Sequence, residues 1–230
     1  MTTISNRLQD ILATIQSAQA CSQFAQTVKL VAVSKAQPAS AIREAYQAGQ
    51  TIFGENYLQE ALDKQAQLTD LNIEWHFIGP IQSNKTQPIS QHFAWVHSVD
   101  RLKIAQRLNE TRPADLPPLQ ICIQVNVSNE NTKSGVFPDD LAALAAEIQK
   151  LPKLKLRGLM AIPAPTKDIN QQIAQFKRVR QCYDALFQKG FALDTLSIGM
   201  SDDYPVAIAQ GATFVRIGSA IFGARPRPTN

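Results

Sequence analysis

Lys35, Arg216, Ser201 and Ser219 are the side chains whose types and positions could do chemistry. Lys35 follows the β-branched run Lys29–Ser34, in phase with Val31 and Val33. Residues two apart in a strand share a face, so if the valines point inward the amine emerges at the end of an apolar core. Partial desolvation there lowers a lysine's pKa and exposes a neutral nucleophile suited to Schiff-base formation. The competing reading of Lys35 is a solvated amine at a strand end. Lys85 and Lys133 are rival loop lysines several residues beyond their strands, where hydration is fuller. Arg216 stands in PheValArgIleGly, in phase with Phe214 and Gly218. An inward guanidinium needs an acceptor, either a strand carboxylate or an atom of a ligand. Gly218 and Ser219 follow it directly, and GlyMetSer ends an earlier β-branched run at Ser201, so two hydroxyls can reach one anion.

These groups need a scaffold that gathers strand ends. Eight candidate strands, Lys29–Ser34, Thr51–Gly54, Glu74–Ile78, Trp95–Ser98, Leu119–Val127, Leu156–Ala161, Thr195–Gly199 and Phe214–Ile217, punctuate the sequence. Helical patterns at Ala39–Ala48, Leu58–Leu68, Leu102–Glu110, Leu141–Gln149, Ile173–Gln188 and Tyr204–Gln210 alternate with them. Asp100 and Asp139/Asp140 stand before two of these helices, where a carboxylate can accept unpaired backbone N–H groups. Repeated β-α units make successive strands parallel with right-handed crossovers, and eight in one chain of this length predict an α/β fold, a closed (β/α)8 TIM barrel. We expect residues 1–230 to form one domain, with an extra N-terminal helix carrying Ile4, Leu8, Ile11, Leu12 and Ile15 on one face. An open doubly wound sheet is the alternative, weakened because no G-x-G-x-x-G follows the first strand. In a barrel, function collects at the βα junctions. Here these are 34–38, 54–57, 79–85, 128–138, 199–203 and 218–220, all polar, with the tail 225–230 expected to fray.

Composition removes several classes of function. The 23 Lys+Arg against 19 Asp+Glu give a net charge of +4, with 18% charged and 44% hydrophobic residues. That is the composition of a chain that folds unaided. The loose clusters Lys150/Lys153/Lys155/Arg157 and Lys177/Arg178/Arg180 read as solvated faces, and no nucleic-acid partner is expected. No apolar stretch approaches the roughly 18 residues of a membrane span. The N-terminus is amphipathic and not one apolar block, so the expectation is a cytoplasmic protein without a membrane partner. Cys21, Cys122 and Cys182 form no CxxC pair, and His76, His92 and His97 have no i,i+4 spacing, so neither disulfide nor metal is expected. His76 and Tyr204 lie near the expected rim; the first reads as a core histidine bonded to a neighbour, the second as a packing residue.

A lysine on the first strand, phosphate donors after the seventh and eighth, and an arginine beside them describe a site for an aldehyde bearing a phosphate. Pyridoxal 5′-phosphate fits. The chain also resembles, along essentially its whole length, the pyridoxal phosphate homeostasis proteins, also called proline synthetase co-transcribed homologues. The resemblance is carried by LysLeuValAlaValSerLys (29–35), PheGlyGluAsnTyrLeuGlnGlu (53–60), TrpHisPheIleGlyProIleGlnSerAsnLys (75–85), GlnValAsnValSer with LysSerGly (124–135), ArgGlyLeuMet (157–160), LeuSerIleGlyMetSerAspAspTyr (196–204) and ValArgIleGlySerAlaIlePheGly (215–223). It implies an alanine-racemase-like barrel with the cofactor held on Lys35 as a Schiff base. It also implies Arg216 facing the pyridine nitrogen, Ser201, Gly218 and Ser219 on the phosphate, and Asn56 beside the cofactor. The family regulates vitamin B6 and amino-acid pools without an established catalytic activity. A monomer is expected, with free amino acids or apo-enzymes as cofactor recipients. Pro80 departs from the family pattern and bears on loop shape alone. The alternatives are a pyridoxal-phosphate-dependent amino-acid racemase, though racemases with this barrel carry a further β domain, and a Schiff-base aldolase using Lys35 without cofactor.

Overall fold

The computed structural model describes residues 3–128 and 134–223. Lys133, part of the 128–138 junction and the tail 225–230 therefore lie outside the described residues. In chain order the elements are α1 (Ile4–Ala20), β1 (Lys29–Val33), α2 (Ala39–Gln47), β2 (Ile52–Glu55), α3 (Leu58–Gln67), β3 (Glu74–Phe77), α4 (Thr86–His92), β4 (Trp95–Val99) and α5 (Leu102–Thr111). They continue as β5 (Leu119–Gln124), α6 (Leu141–Gln149), β6 (Leu154–Met160), α7 (Ile169–Gln188), β7 (Thr195–Ser197), α8 (Tyr204–Ala209), β8 (Phe214–Ile217) and α9 (Ser219–Phe222). The strands pair in parallel in sequence order, and β1 pairs with β8 to close the barrel. The predicted (β/α)8 architecture, with its additional leading helix, is what forms.

Strand alternation divides the core in two. Inward residues Val31, Trp95, Cys122, Met160 and Phe214 form a small cluster inside the barrel. Their neighbours Leu30, Ala32, Val96, Ile121, Val215 and Ile217 face the helical layer and join the larger core. Each fully buried aliphatic or aromatic side chain stabilises the fold by about 1.5–3 kcal/mol. Leu8, Ile11 and Ile15 bury one stripe of α1, and the Arg7 Nε donates to the Ile221 carbonyl at 2.5 Å, fixing α1 against α9. In the β1–β8 register Val31 faces Arg216. Lys35, four residues past Val31, and Gly218, two past Arg216, therefore emerge at the same end of the barrel.

Several local expectations are corrected. Helix α4 is not among the helical patterns read from the sequence; Pro88 is its third residue, where the missing N–H has no intrahelical acceptor to lose. Strand β6 starts at Leu154, which pairs with Leu119, and β5 ends at Gln124, beyond which Val125 donates to the Met160 carbonyl and forms an isolated bridge with Val136. Asp100 does not cap α5: it receives the Arg101 guanidinium at 2.6 Å. Asp139 and Asp140 sit in a 3-10 turn and make no side-chain capping bond. Asp168 does cap, accepting the Asn170 and Gln171 N–H groups, and α7 accordingly begins at Ile169. Among the described residues no helix is long and apolar enough to cross a membrane.

Candidate functional site

A cavity of about 490 Å³ opens at the C-terminal ends of the strands, lined by Lys35, Asn56, Ser201, Arg216, Gly218 and Ser219. All six predicted site residues meet there. Val33, Ile78 and Ile162 supply apolar walls, and the size lies within the range of about 300–1,000 Å³ typical of small-molecule sites. Lys85, the rival lysine, is exposed in a 3-10 turn and does not line the cavity.

Lys35 occupies the turn directly after β1 and is half-buried. Val31 points into the barrel and Val33 lines the cavity, so the predicted phase holds. Ala36 has φ +58°, a left-handed conformation unfavourable for a residue with a Cβ. A buried network holds this turn. The Ala36 N–H donates to Glu60 Oε1 at 2.5 Å, and Lys64 Nζ donates to Glu60, to Glu55 Oε1 and to the Ser34 carbonyl. The Ser34 hydroxyl donates to Glu55 Oε1 at 2.6 Å. Burial pushes the Glu55 carboxyl above its usual range, against the attraction of Lys64. Glu55, Glu60 and Lys64 were not singled out from sequence. They lie on β2 and α3, and only folding brings them under the lysine turn.

Arg216 is almost completely buried. Its Nη1 donates to the Ser197 carbonyl at 2.6 Å and hydroxyl at 2.7 Å, and its Nη2 to the Ala161 carbonyl at 2.9 Å. Burial lowers its pKa to about 10, opposed by the field of Asp203, so the guanidinium is still a cation at neutral pH. No carboxylate among the described residues forms an ion pair with it, so of the two sequence-derived acceptors the strand carboxylate is not in contact.

Ser201 and Ser219 stand side by side, the Ser219 hydroxyl donating to Ser201 Oγ at 3.3 Å. The turn carrying Ser201 is tied by the Met200 N–H donating to Asp203 Oδ1 at 2.6 Å. A Cβ on Gly218 would lie 3.0 Å from the Val33 carbonyl oxygen, so a glycine lets β8 turn into α9 against β1. Gly79 does the same for Asn56, whose carbonyl oxygen would be 2.1 Å from an added Cβ. The Asn56 Oδ1 is buried and has no hydrogen-bond partner. An orphaned acceptor costs roughly 1–3 kcal/mol, and its place on the cavity wall points to a donor on a ligand. An amine, a buried cation with donors, an orphaned acceptor and paired hydroxyls around apolar walls fit a phosphorylated aromatic aldehyde.

His76 is not at the rim. It is buried inside the barrel, stacked on Trp95 with ring centroids 5.4 Å apart, and its bonded neighbour is His97. Tyr204 is partly buried against the core, as a packing residue. Burial depresses the pKa of His76, against the pull of Glu74, and depresses that of His97 further. A histidine with a folded pKa below its unfolded one binds fewer protons when folded, so stability is full above the unfolded value of about 6.5 and declines as pH falls from there towards the folded pKa. Glu55 acts in the opposite sense, its contribution diminishing as pH rises through its elevated pKa. Urea midpoints are expected to drop as pH falls from 7 to 5.5, the direction set by the two buried histidines. A flat midpoint would mean that these rings are not held neutral.

A family model described as alanine racemase, N-terminal domain, matches residues 7–226. A Pseudomonas aeruginosa protein named pyridoxal phosphate homeostasis protein is 60% identical over 226 residues, covering 98% of this chain and 97% of that one. An Escherichia coli K12 protein of the same name is 49% identical, covering 98% of each chain. The solved structure of PipY from Synechococcus elongatus, with pyridoxal phosphate bound, superposes with a TM-score of 0.86 at 39% identity, covering 96% of this chain and 100% of that one.

Proposed function

The chain belongs to the alanine racemase N-terminal-domain family as a pyridoxal phosphate homeostasis protein, and on that premise we propose that its upper cavity is where the cofactor is held. The protein binds pyridoxal 5′-phosphate and acts in its homeostasis. The observation that carries the placement is the convergence of Lys35, Asn56, Ser201, Arg216, Gly218 and Ser219 on one cavity. In this reading Lys35 Nζ binds the carbonyl carbon, and Ser201, Ser219 and the Gly218 turn grip the phosphate. Asn56 Oδ1 accepts from a ligand donor, and Arg216 donates to the pyridine nitrogen.

The bound group supplies a reactive aldehyde on an electron-accepting ring. This chain's residues restrain that reactivity. A carboxylate at the ring nitrogen would keep it protonated and a strong electron sink, whereas a guanidinium can only donate and favours the unprotonated nitrogen. Among the described residues that line the cavity, Lys35 and Asp202 are the only ionisable side chains besides Arg216. The reading is therefore a non-catalytic carrier working in the cytoplasm, from which a primary amine entering the mouth displaces Lys35 and takes the aldehyde. The holo-protein incubated with L-alanine in deuterated water is expected to show no sustained α-proton exchange or racemisation. Turnover at the ordinary enzymatic scale of about 1 s⁻¹ or more would overturn this reading and support a racemase.

A further inference from the structure

Four hydrogen bonds run through the barrel interior from one mouth to the other. Glu74 Oε1 lies 2.8 Å from His76 Nε2, and His76 Nδ1 lies 2.9 Å from His97 Nε2. His97 Nδ1 lies 2.8 Å from Ser197 Oγ, which receives Arg216 Nη1 at 2.7 Å. These residues take inward positions on β3, β4, β7 and β8. His76, His97 and Ser197 are fully buried, whereas the Glu74 side chain is 43% exposed at the N-terminal mouth. Trp95 and Phe214 pack on both imidazoles with centroids 5.4–5.8 Å apart and leave the rings sealed in aromatic surroundings.

With both imidazoles held neutral by burial, the carboxylate end fixes every proton along the chain. A guanidinium only donates and a carboxylate only accepts. His76 therefore donates from Nε2 to Glu74 and accepts at Nδ1 from His97 Nε2, which leaves His97 Nδ1 to accept the Ser197 hydroxyl proton while Ser197 Oγ accepts from Arg216. All four bonds then point the same way, from Arg216 to Glu74, whereas a second proton on His76 would turn the His97 tautomer and send its Nδ1–H to Ser197 Oγ.

We propose that Glu74 is the remote counter-ion of Arg216, and that Ser197, His97 and His76 are positioning residues through which it orients the guanidinium and fixes its charge towards the cavity. The carboxylate that Arg216 lacks in direct contact is supplied across the barrel. The consequence for the ligand, a ring nitrogen held unprotonated but with part of the arginine's field offset, rests on the cofactor reading above. The relay itself does not. Other titratable groups share its surroundings: Lys29 and Arg157 face Glu74, Lys29 also faces His76, and Asp203 and the neutral thiol of Cys122 face Arg216.

Two measurements test the proposal. In the ligand-free wild type, ¹⁵N NMR is expected to find His76 and His97 neutral and protonated on Nε2. A proton on His97 Nδ1, or a charged ring in the neutral range, would overturn the relay. The second uses Glu74→Gln, which keeps an oxygen for His76 Nε2 but removes the charge. Loaded with pyridoxal phosphate, this variant is expected to lower the pH midpoint of the ring-nitrogen titration, read in the absorption spectrum, by about half a unit, as a lost carboxylate in a weakly screened interior would. An unchanged midpoint would show that Glu74 only satisfies a histidine and would sink the counter-ion role. If the wild type bound no pyridoxal phosphate, the cofactor reading would fall, and the NMR result would still decide the relay.

Discussion

A Lys35→Ala variant is expected to lose all covalent retention of pyridoxal phosphate. The wild-type lysine leaves β1 at the cavity edge in a turn held by Glu60, Glu55 and Lys64, so its amine is presented in one place before any aldehyde arrives. Alanine removes the nucleophile and leaves that network intact, because the bonds holding the turn run to the backbone of Ser34 and Ala36 and to the Ser34 hydroxyl. The variant should fold as the wild type does, bind the cofactor reversibly through its phosphate and ring, and release it on dialysis with no visible absorption band. Retention of that band after dialysis would place the attachment on another lysine.

The Ser201→Ala/Ser219→Ala double variant is expected to weaken binding by about two to four orders of magnitude. Hydrogen bonds to a charged group contribute roughly 1.5–3 kcal/mol each, and each 1.4 kcal/mol is about tenfold in affinity. The two hydroxyls touch each other at 3.3 Å, so their losses are coupled and the combined effect should fall towards the lower end. Stability should change little, since Ser219 is exposed and Ser201 half-buried. Equilibrium titration of the apo-protein measures the effect. A double variant that binds as tightly as the wild type would put the phosphate elsewhere.

The barrel was legible because its evidence is local. Each inward strand declares itself by alternation, and the phase of Val31, Val33 and Lys35, or of Phe214, Arg216 and Gly218, needs no knowledge of the other strands. The two glycine-serine junctions at 199–201 and 218–219 could be assigned to one anion once eight strands were counted. Asn56 was different: its part came from family resemblance, and its orphaned oxygen is visible only in the folded cavity. What stayed hidden depends on register. His76 and His97 meet because β3 and β4 pair His76 with Trp95, two residues before His97, and Ser197 arrives from a strand 100 residues further along. No spacing rule along one chain segment encodes that contact. Helix α4 is only 7 residues long and carries Pro88 at its third position, so it offers little helical periodicity to read.

The central claim is that Lys35, and no other lysine, carries the cofactor. The direct measurement is borohydride reduction of the wild-type holo-protein followed by peptide mass mapping. The account predicts a single dominant pyridoxyl adduct on the peptide containing Lys35. An adduct found mainly on Lys85 or Lys133 would contradict it.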